Sequence, residues 1–280
     1  MRLRFGSLAA RFAGLTGLAG LAAFPSAGLA AGLQADYGIW LAGLPIGTAD
    51  VKSSFDGERY TISLQARFTG LAGMITGGKG AANASGQVSG TRVVPSAFAI
   101  VSRNSKESRL VRMGLRSGSV SAVSIEPPID DKPDRVPVEE AHKRGVVDPV
   151  SALIMPAKGS ATDPDNCNRT IPVFDGASRF DVDLTYSETK TVAKPGYSGP
   201  VLVCKARWKP ISGHRPARSA VKFMEDNDDM AVWLAPMEGN RVLLPLRIEV
   251  RTQIGLSVVE ASSLSFDGKP AGRRSARAGD

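Results

Sequence analysis

The sequence predicts an all-β fold, in which a strongly curved antiparallel sheet forms an open barrel or a β-spiral and packs with one short α-helix. Apolar and polar residues alternate from Arg179 to Tyr186 and from Arg59 to Thr69, which is the period of a strand with one solvated face. Asp-Gly pairs at 56–57 and 175–176 precede these segments. Both residue types tolerate the positive φ of a tight turn, so each pair predicts a chain reversal before a strand.

The strands are expected to follow one another along the chain as a meander of hairpins. A Pro- and charge-rich stretch from Glu126 to Gly145 interrupts them and predicts a long surface loop. The mature length suits one core, so we predict a single β-rich domain over residues 31–268. The predicted strands cover residues 36–42, 48–55, 59–69, 88–103, 108–115, 119–125, 179–186, 201–208, 230–236, 242–254 and 256–266.

The predicted α-helix begins at Asp148. Aspartate is a good N-cap, and Pro149 suits the first helical position because its φ is already close to that of a helix. Val150, Leu153 and Ile154 would form the apolar stripe of this helix, and the proline two residues later ends it. We expect the helix to pack against the sheet or inside it.

Both ends of the chain differ in composition from the predicted domain. Arginines precede an apolar, acid-free run from Phe12 to Phe24, and small residues follow it, which predicts a signal peptide over residues 1–30 that is cleaved after Ala30. Residues 269–280 predict a disordered basic tail. The mature protein is therefore expected in the periplasm and not as an integral membrane protein. Much of the net charge of +8 lies in these two segments, which disfavours a nucleic-acid partner.

The chain contains two cysteines, Cys167 and Cys204. They are too far apart for a CxxC redox motif and too few for a zinc site. Export would carry them into an oxidising compartment, where a disulfide is the default state. We therefore predict a structural disulfide between them, because their spacing has no feature of a redox pair.

The sequence contains no recognisable catalytic or metal-binding motif. Its two histidines, His142 and His214, lie in different predicted loops, and no carboxylates stand at a ligand spacing around them. No GxSxG elbow is present, and nothing supports a nucleophilic pair of Ser151 and His214. We predict that the protein is not an enzyme and needs neither a cofactor nor a metal.

One basic segment is the candidate binding site. Arginine and lysine side chains beside an aromatic ring can hold an anionic head group, and Trp208 lies within this segment. The alternative interpretation is an exposed basic connection without a ligand. The candidate anion-binding residues are Arg207, Lys209, His214, Arg215 and Arg218.

Several short motifs in a fixed order carry a family resemblance. They are Tyr37–Gly47, Asp148–Leu153, Cys167–Arg169, Phe174–Asp181, Tyr197–Pro200, Cys204 and Gly213–Pro216. Over about residues 37–259 the chain resembles the exported bacterial family called domain of unknown function 3108. The resemblance brings no established activity and no catalytic residues. It implies a curved sheet around a short helix, similar to lipoprotein carriers, which hold an acyl chain inside an incomplete barrel.

Three hypotheses about function follow. The first is a periplasmic protein that supports cell-envelope integrity by binding a lipid or acyl-type ligand in the concave face of the sheet. The second is an envelope scaffold that binds peptidoglycan, lipopolysaccharide or a protein partner without a small ligand. The third and weakest is a hydrolase. An apolar cavity would favour the first, a filled core the second, and a cleft with clustered His, Ser and Asp the third.

Overall fold

The computed structural model describes residues 31–70, 73, 77–237, 242–266 and 269–270. The predicted signal peptide lies outside these residues, and so does the predicted tail apart from Lys269 and Pro270. The chain forms an antiparallel sheet, which confirms the predicted fold class. Its strands are β1 (Ala31–Leu41), β2 (Leu44–Asp56), β3 (Arg59–Phe68), β4 (Lys79–Ser89), β5 (Arg92–Arg103), β6 (Ser108–Arg116), β7 (Ser119–Glu126), β8 (Met155–Pro156), β9 (Arg169–Phe174), β10 (Arg179–Lys194), β11 (Tyr197–Ser212), β12 (Met230–Met237), β13 (Val242–Thr252), β14 (Gly255–Phe266) and β15 (Lys269–Pro270).

The strands pair in the order β7-β6-β5-β4-β3-β2-β1-β14-β13-β12-β11-β10-β9, with β15 on β14 and β8 on β13. The N-terminal strand thus joins the C-terminal strand in the middle of the sheet, with Leu33 opposite Phe266 and Leu41 opposite Ser257. Strands β7 and β9 are the two ends of this order, so direct strand pairing does not close the sheet into a barrel. The sheet is an open barrel.

The segment that follows the long loop bridges the two open edges. The backbone N–H of Val146 donates to the carbonyl of Gly118 in the β6–β7 turn, at 3.1 Å. The next residue, Val147, donates to Pro172 of β9 at 2.9 Å and accepts from Phe174 at 2.9 Å. A short stretch of irregular chain therefore provides hydrogen bonds on both sides of the gap that the strands leave open.

The same segment then enters the space enclosed by the sheet. Val146, Val150 and Ile154 are buried in the main hydrophobic core with inward-facing side chains of the sheet, among them Tyr60 and Phe98. We call residues 146–154 the plug. The prediction that this segment packs against the sheet or inside it is correct, but the prediction of an α-helix there is wrong. The plug contains one 3-10 turn, Ser151–Leu153, which follows a turn at Pro149 and Val150 and leads into extended backbone at Ile154.

In the described part of the chain, an eight-residue α-helix lies elsewhere. Helix α1 covers Ser219–Asp226, between β11 and β12, and the chain leaves it in an extended conformation at Asn227. No buried residue lies in α1, which sits on the surface beside β11. The predicted short helix therefore exists, but about 70 residues after its predicted place and outside the sheet.

A second hydrophobic cluster covers the opposite face of β10–β13. Val201 belongs to the main core, whereas its neighbour Leu202 belongs to this second cluster, because successive side chains of a strand point to opposite faces. Met155, Cys167 and a loop that packs over the strands cover this face of the sheet. This part of the sheet is thus buried on both faces.

Candidate functional site

The plug is held in the sheet by a buried polar network. The Asp148 carboxylate accepts hydrogen bonds from the backbone N–H groups of Val150 and Ser151, at 3.0 and 2.9 Å, and it also accepts from the Ser151 hydroxyl. The Ser151 Oγ lies 2.7 Å from the Tyr60 hydroxyl on β3. Since Ser151 donates to Asp148, the Tyr60 hydroxyl is the donor in that contact.

The three members of this network are shielded from water. Asp148 and Ser151 are fully buried, and Tyr60 is almost so. Burial raises the pKa of the Asp148 carboxyl and that of the Tyr60 phenol, because the low-dielectric interior disfavours their charged forms. The hydroxyl of Ser151 faces Asp148 and Tyr60 rather than His214, so the structure does not assemble the Ser151–His214 pair.

A cleft of about 760 Å³ opens between the plug, β9 and the start of β5. Its apolar wall includes half-buried side chains, namely Val93, Val147 and Ile171, beside buried ones such as Ile154. Three cations also line it, namely Arg92, Lys158 and Arg169. The cleft therefore combines apolar surface that water still reaches with positive charge, and we call it the plug cleft.

The three cations of the plug cleft differ in their partners. Arg169 donates to the carbonyls of Asn166 and Pro156, at 2.8 and 3.0 Å, and fixes the loop that carries it. The Lys158 ammonium donates to the carbonyl of Asn168 at 3.0 Å. The side chain of Arg92 is exposed and makes no hydrogen bond or ion pair with the described residues. All the donors of its guanidinium are therefore free to bind an anion.

The structure divides the predicted anion-binding cluster between two places. Arg207 and Lys209 alternate with Trp208 along β11 and lie on the other face of the strand. Lys209 forms an ion pair with Asp183, which lowers the pKa of that carboxyl, and Arg207 reaches the carbonyl of Glu225 at 3.5 Å. These two residues therefore do not meet the other three.

The remaining three predicted residues line a second cleft of about 490 Å³ beside Trp208. The Arg215 Nε lies 2.8 and 2.9 Å from the two carboxylate oxygens of Asp134 and lowers the pKa of that carboxyl. Arg218 is exposed, whereas the Nδ1 atom of His214 is buried without a hydrogen-bond partner among the described residues. We call this region the β11 cleft.

Sequence reasoning missed two cations of the β11 cleft. Arg135 belongs to the long loop, and its guanidinium donates to the carbonyl of Gly213. Arg179 stands at the start of β10 in an ion pair with Asp181, at 2.6 Å. Neither is near residues 207–218 in sequence. The long β10–β11 hairpin pairs Arg179 with Ser212, so the position of Arg179 beside this cleft was open to prediction.

The two cysteines have the geometry of a disulfide. Their Sγ atoms lie 1.98 Å apart and both residues are fully buried in the second hydrophobic cluster. The bond connects the loop that covers β10–β13 to the middle of β11. Its surroundings are apolar side chains such as Leu184 and Leu234, a setting for a structural rather than a reactive sulfur.

These features define an open, barrel-like antiparallel β-protein whose interior is filled by a plug and whose clefts are lined with cations. Across the described part of the chain, no three potential metal ligands come together, and no helix is long and apolar enough to cross a membrane. A family model described as "Protein of unknown function (DUF3108)" matches residues 34–262. The chain belongs to this family, as its sequence motifs predict.

Comparison with other proteins adds no activity. No curated protein matches the chain. Among solved structures, it is similar to the crystal structure of a beta-barrel-like protein of domain of unknown function DUF1849 from Brucella abortus. The sequence identity is 10%, the TM-score is 0.48, and the match covers 84% of this chain and 97% of the other.

Proposed function

We propose that the mature protein is a periplasmic, non-enzymatic binding protein that supports the integrity of the cell envelope by holding a lipid or acyl-type ligand. The plug occupies the concave face that the sequence suggested for this ligand. The proposed site is therefore the plug cleft, between the plug and the start of β5.

The observation that carries this proposal is the combination of an apolar wall with the free guanidinium of Arg92. A cleft of about 760 Å³ falls within the size range of ligand sites, and such sites are mostly apolar with a few polar groups that fix orientation. The half-buried side chains of Val93 and Ile171 would gain burial from an acyl chain. Arg92 would then hold a carboxylate or phosphate head group.

A fluorescent fatty acid tests the proposal in solution. Ala152 is a half-buried plug residue that lines the cleft, so Ala152→Trp fills the space and should abolish binding. Ala97→Trp, on the exposed face of β5, is the matched control and should bind as the wild type does. Arg92→Gln should weaken binding of the acid about tenfold, the effect of losing one charge-assisted hydrogen bond, and should leave the corresponding alcohol unaffected. Equal binding by the Ala152→Trp and Ala97→Trp variants would refute the plug cleft as the site.

The envelope scaffold is the second candidate, and the β11 cleft favours it. The plug fills the interior of the sheet, as expected of a protein without an internal ligand. Arg218 is exposed in the β11 cleft and its guanidinium makes no hydrogen bond with the described residues, so an anionic group of a polysaccharide or a protein would find unused donors there. Loss of lipopolysaccharide or peptidoglycan binding in Arg218→Ala, with fatty-acid binding unchanged, would support this candidate.

A further inference from the structure

Three cations face one another at the end of the sheet opposite the plug cleft. Arg67 is the penultimate residue of β3, Lys79 begins β4 and Arg103 ends β5, and the register places Arg67 opposite Lys79 and Lys79 opposite Arg103. Directly opposed side chains have Cβ atoms about 5 Å apart and share one face of the sheet. All three are exposed, and the alternation of β3, which buries Tyr60 and Ile62 inside the sheet, puts Arg67 and the two residues level with it on the outer face. We call them the cation row.

The cation row is not neutralised by its surroundings. None of its three members forms an ion pair or a side-chain hydrogen bond with the described residues. Asp50 lines one cleft with all three cations without forming an ion pair, and Glu107 lies 3.8 Å from the guanidinium of Arg109. The row therefore keeps a net positive charge. Like charges directly opposite each other across strands are destabilising, so the row is unfavourable in the isolated protein. An anionic partner would relieve that repulsion.

The same end of the sheet presents exposed apolar residues on two turns. Leu44, directly after the β1–β2 turn, is 68% exposed, and Ile254, in the β13–β14 turn, is 74% exposed. The β1–β2 turn contacts the start of β14, since the Ala42 backbone N–H donates to the carbonyl of Leu256 at 2.9 Å. At Gly43 a side chain would meet no atom within 4 Å, so the turn projects into open space.

Exposed apolar tips next to unpaired cations match the chemistry of a bilayer surface. Apolar side chains enter the boundary between head groups and acyl chains, while lysine and arginine are attracted to anionic phosphates. Strands β1 to β5 and β13 to β14 are neighbours in the sheet, so the tips and the cation row belong to one continuous end of the molecule. Phe68, 43% exposed, adds apolar surface between them.

We propose that this end of the sheet docks on the surface of a membrane containing anionic phospholipids. Leu44 and Ile254 enter the interface, and the cation row contacts lipid phosphates. The proposal does not rest on the plug cleft, because Arg92 and Arg103 stand at opposite ends of β5, roughly 35 Å apart along the strand. A docked molecule would hold the plug cleft away from the bilayer.

Tryptophan reporters test which end touches the membrane. Ile254→Trp is placed on the proposed tip, and Glu58→Trp, in the β2–β3 turn, is the exposed control at the other end. The native tryptophans, among them Trp40 near the tip, are accounted for by subtracting the wild-type signal. With the exported chain and vesicles of equimolar phosphatidylcholine and phosphatidylglycerol, the added fluorescence of the Ile254→Trp variant should shift to the blue and be quenched by brominated lipid. The fluorescence added in the Glu58→Trp variant should show neither change. This local readout is independent of any binding by the basic tail, and equal responses from the two variants would overturn the proposal.

Charge reversal tests the cation row itself. Lys79→Glu/Arg103→Glu should weaken binding to the anionic vesicles at least about tenfold, because each cation near an anionic surface contributes separately. Arg59→Glu/Arg116→Glu makes the same change of net charge at the other end and should leave the affinity within about twofold of the wild type. Equal losses would show attraction by net charge alone and overturn the proposal. Absence of binding to anionic vesicles would also overturn it and assign this end to a protein partner.

Discussion

The hydrogen-bond network of the plug predicts a strong coupling between two residues that are far apart in sequence. Ser151→Ala leaves the Tyr60 hydroxyl without its acceptor and removes one donor from the buried Asp148 carboxylate. A buried polar group left without a partner costs about 1–3 kcal/mol, so the free energy of unfolding should fall by about 2–5 kcal/mol. Tyr60→Phe removes one hydroxyl while Ser151 still donates to Asp148, and should cost only about 1 kcal/mol.

Urea denaturation of both single variants and of the double variant measures this coupling. The double variant should lose at least about 1 kcal/mol less than the sum of the singles, because Tyr60→Phe removes the group that Ser151→Ala leaves unpaired. Ser54→Ala is the control, since Ser54 pairs with Thr61 at 2.8 Å on the exposed face, and it should change stability by less than about 0.5 kcal/mol. A loss below about 1 kcal/mol in Ser151→Ala, or simple additivity, would refute the view that this network fixes the plug.

Three further predictions concern stability. Reduction of the Cys167–Cys204 disulfide, whose members are 37 residues apart, should lower the free energy of unfolding by about 4 kcal/mol; an unchanged thermal midpoint would contradict this. Burial raises the pKa of Asp148 in the folded state, so stability should fall as the pH rises from the ordinary carboxyl pKa through the raised one. Asp148→Asn should flatten that slope in urea titrations at several pH values, and identical slopes would count against it. Gly176→Ala should lower the free energy of unfolding by about 1–3 kcal/mol, because φ is +100° and the new Cβ would lie 2.5 Å from a methyl of Val111. Gly57→Ala places its Cβ in open space and should cost less stability. Equal losses of stability in the two variants would contradict the close packing at Gly176.

The strands were predictable because their signal is local. Alternation with a period of two gives the strand after each Asp-Gly turn, and the structure extends several strands, such as β10 from eight to 16 residues. The sequence pattern missed β9 and most of β4, and the predicted strand 88–103 is divided by the turn between β4 and β5. The order of the sheet was not predictable in this way. The pairing of β1 with β14 joins residues more than 200 positions apart, and no local pattern specifies it.

The helix was misplaced because local signals were outweighed by tertiary packing. Asp148 does act as a cap, since it accepts from the N–H groups of Val150 and Ser151. Only a few residues separate it from Pro156, however. Inside the sheet, an irregular path allows Ser151 to form a hydrogen bond with Tyr60 and Val147 to pair with Val173. Helix α1 has no clear start signal, as its N-cap residue makes no side-chain capping bond.

The candidate sites show the same division between local and distant information. The separation of Arg207 and Lys209 from His214 follows from strand alternation and was open to prediction. The plug cleft was not, because its walls come from the start of β5, the plug and β9. These three segments meet through the closure of the sheet, which depends on contacts between distant parts of the chain.

Mass spectrometry of solvent extracts is the most direct test of the central claim that the plug cleft holds an acyl-type ligand. The protein would be purified without detergent from the periplasm of its own host, beside the Ala152→Trp and Ala97→Trp variants. We predict a stoichiometric lipid or fatty acid in the wild type and in Ala97→Trp, and its loss in Ala152→Trp. A wild-type extract that contains no lipid, or equal lipid in all three proteins, would contradict the claim.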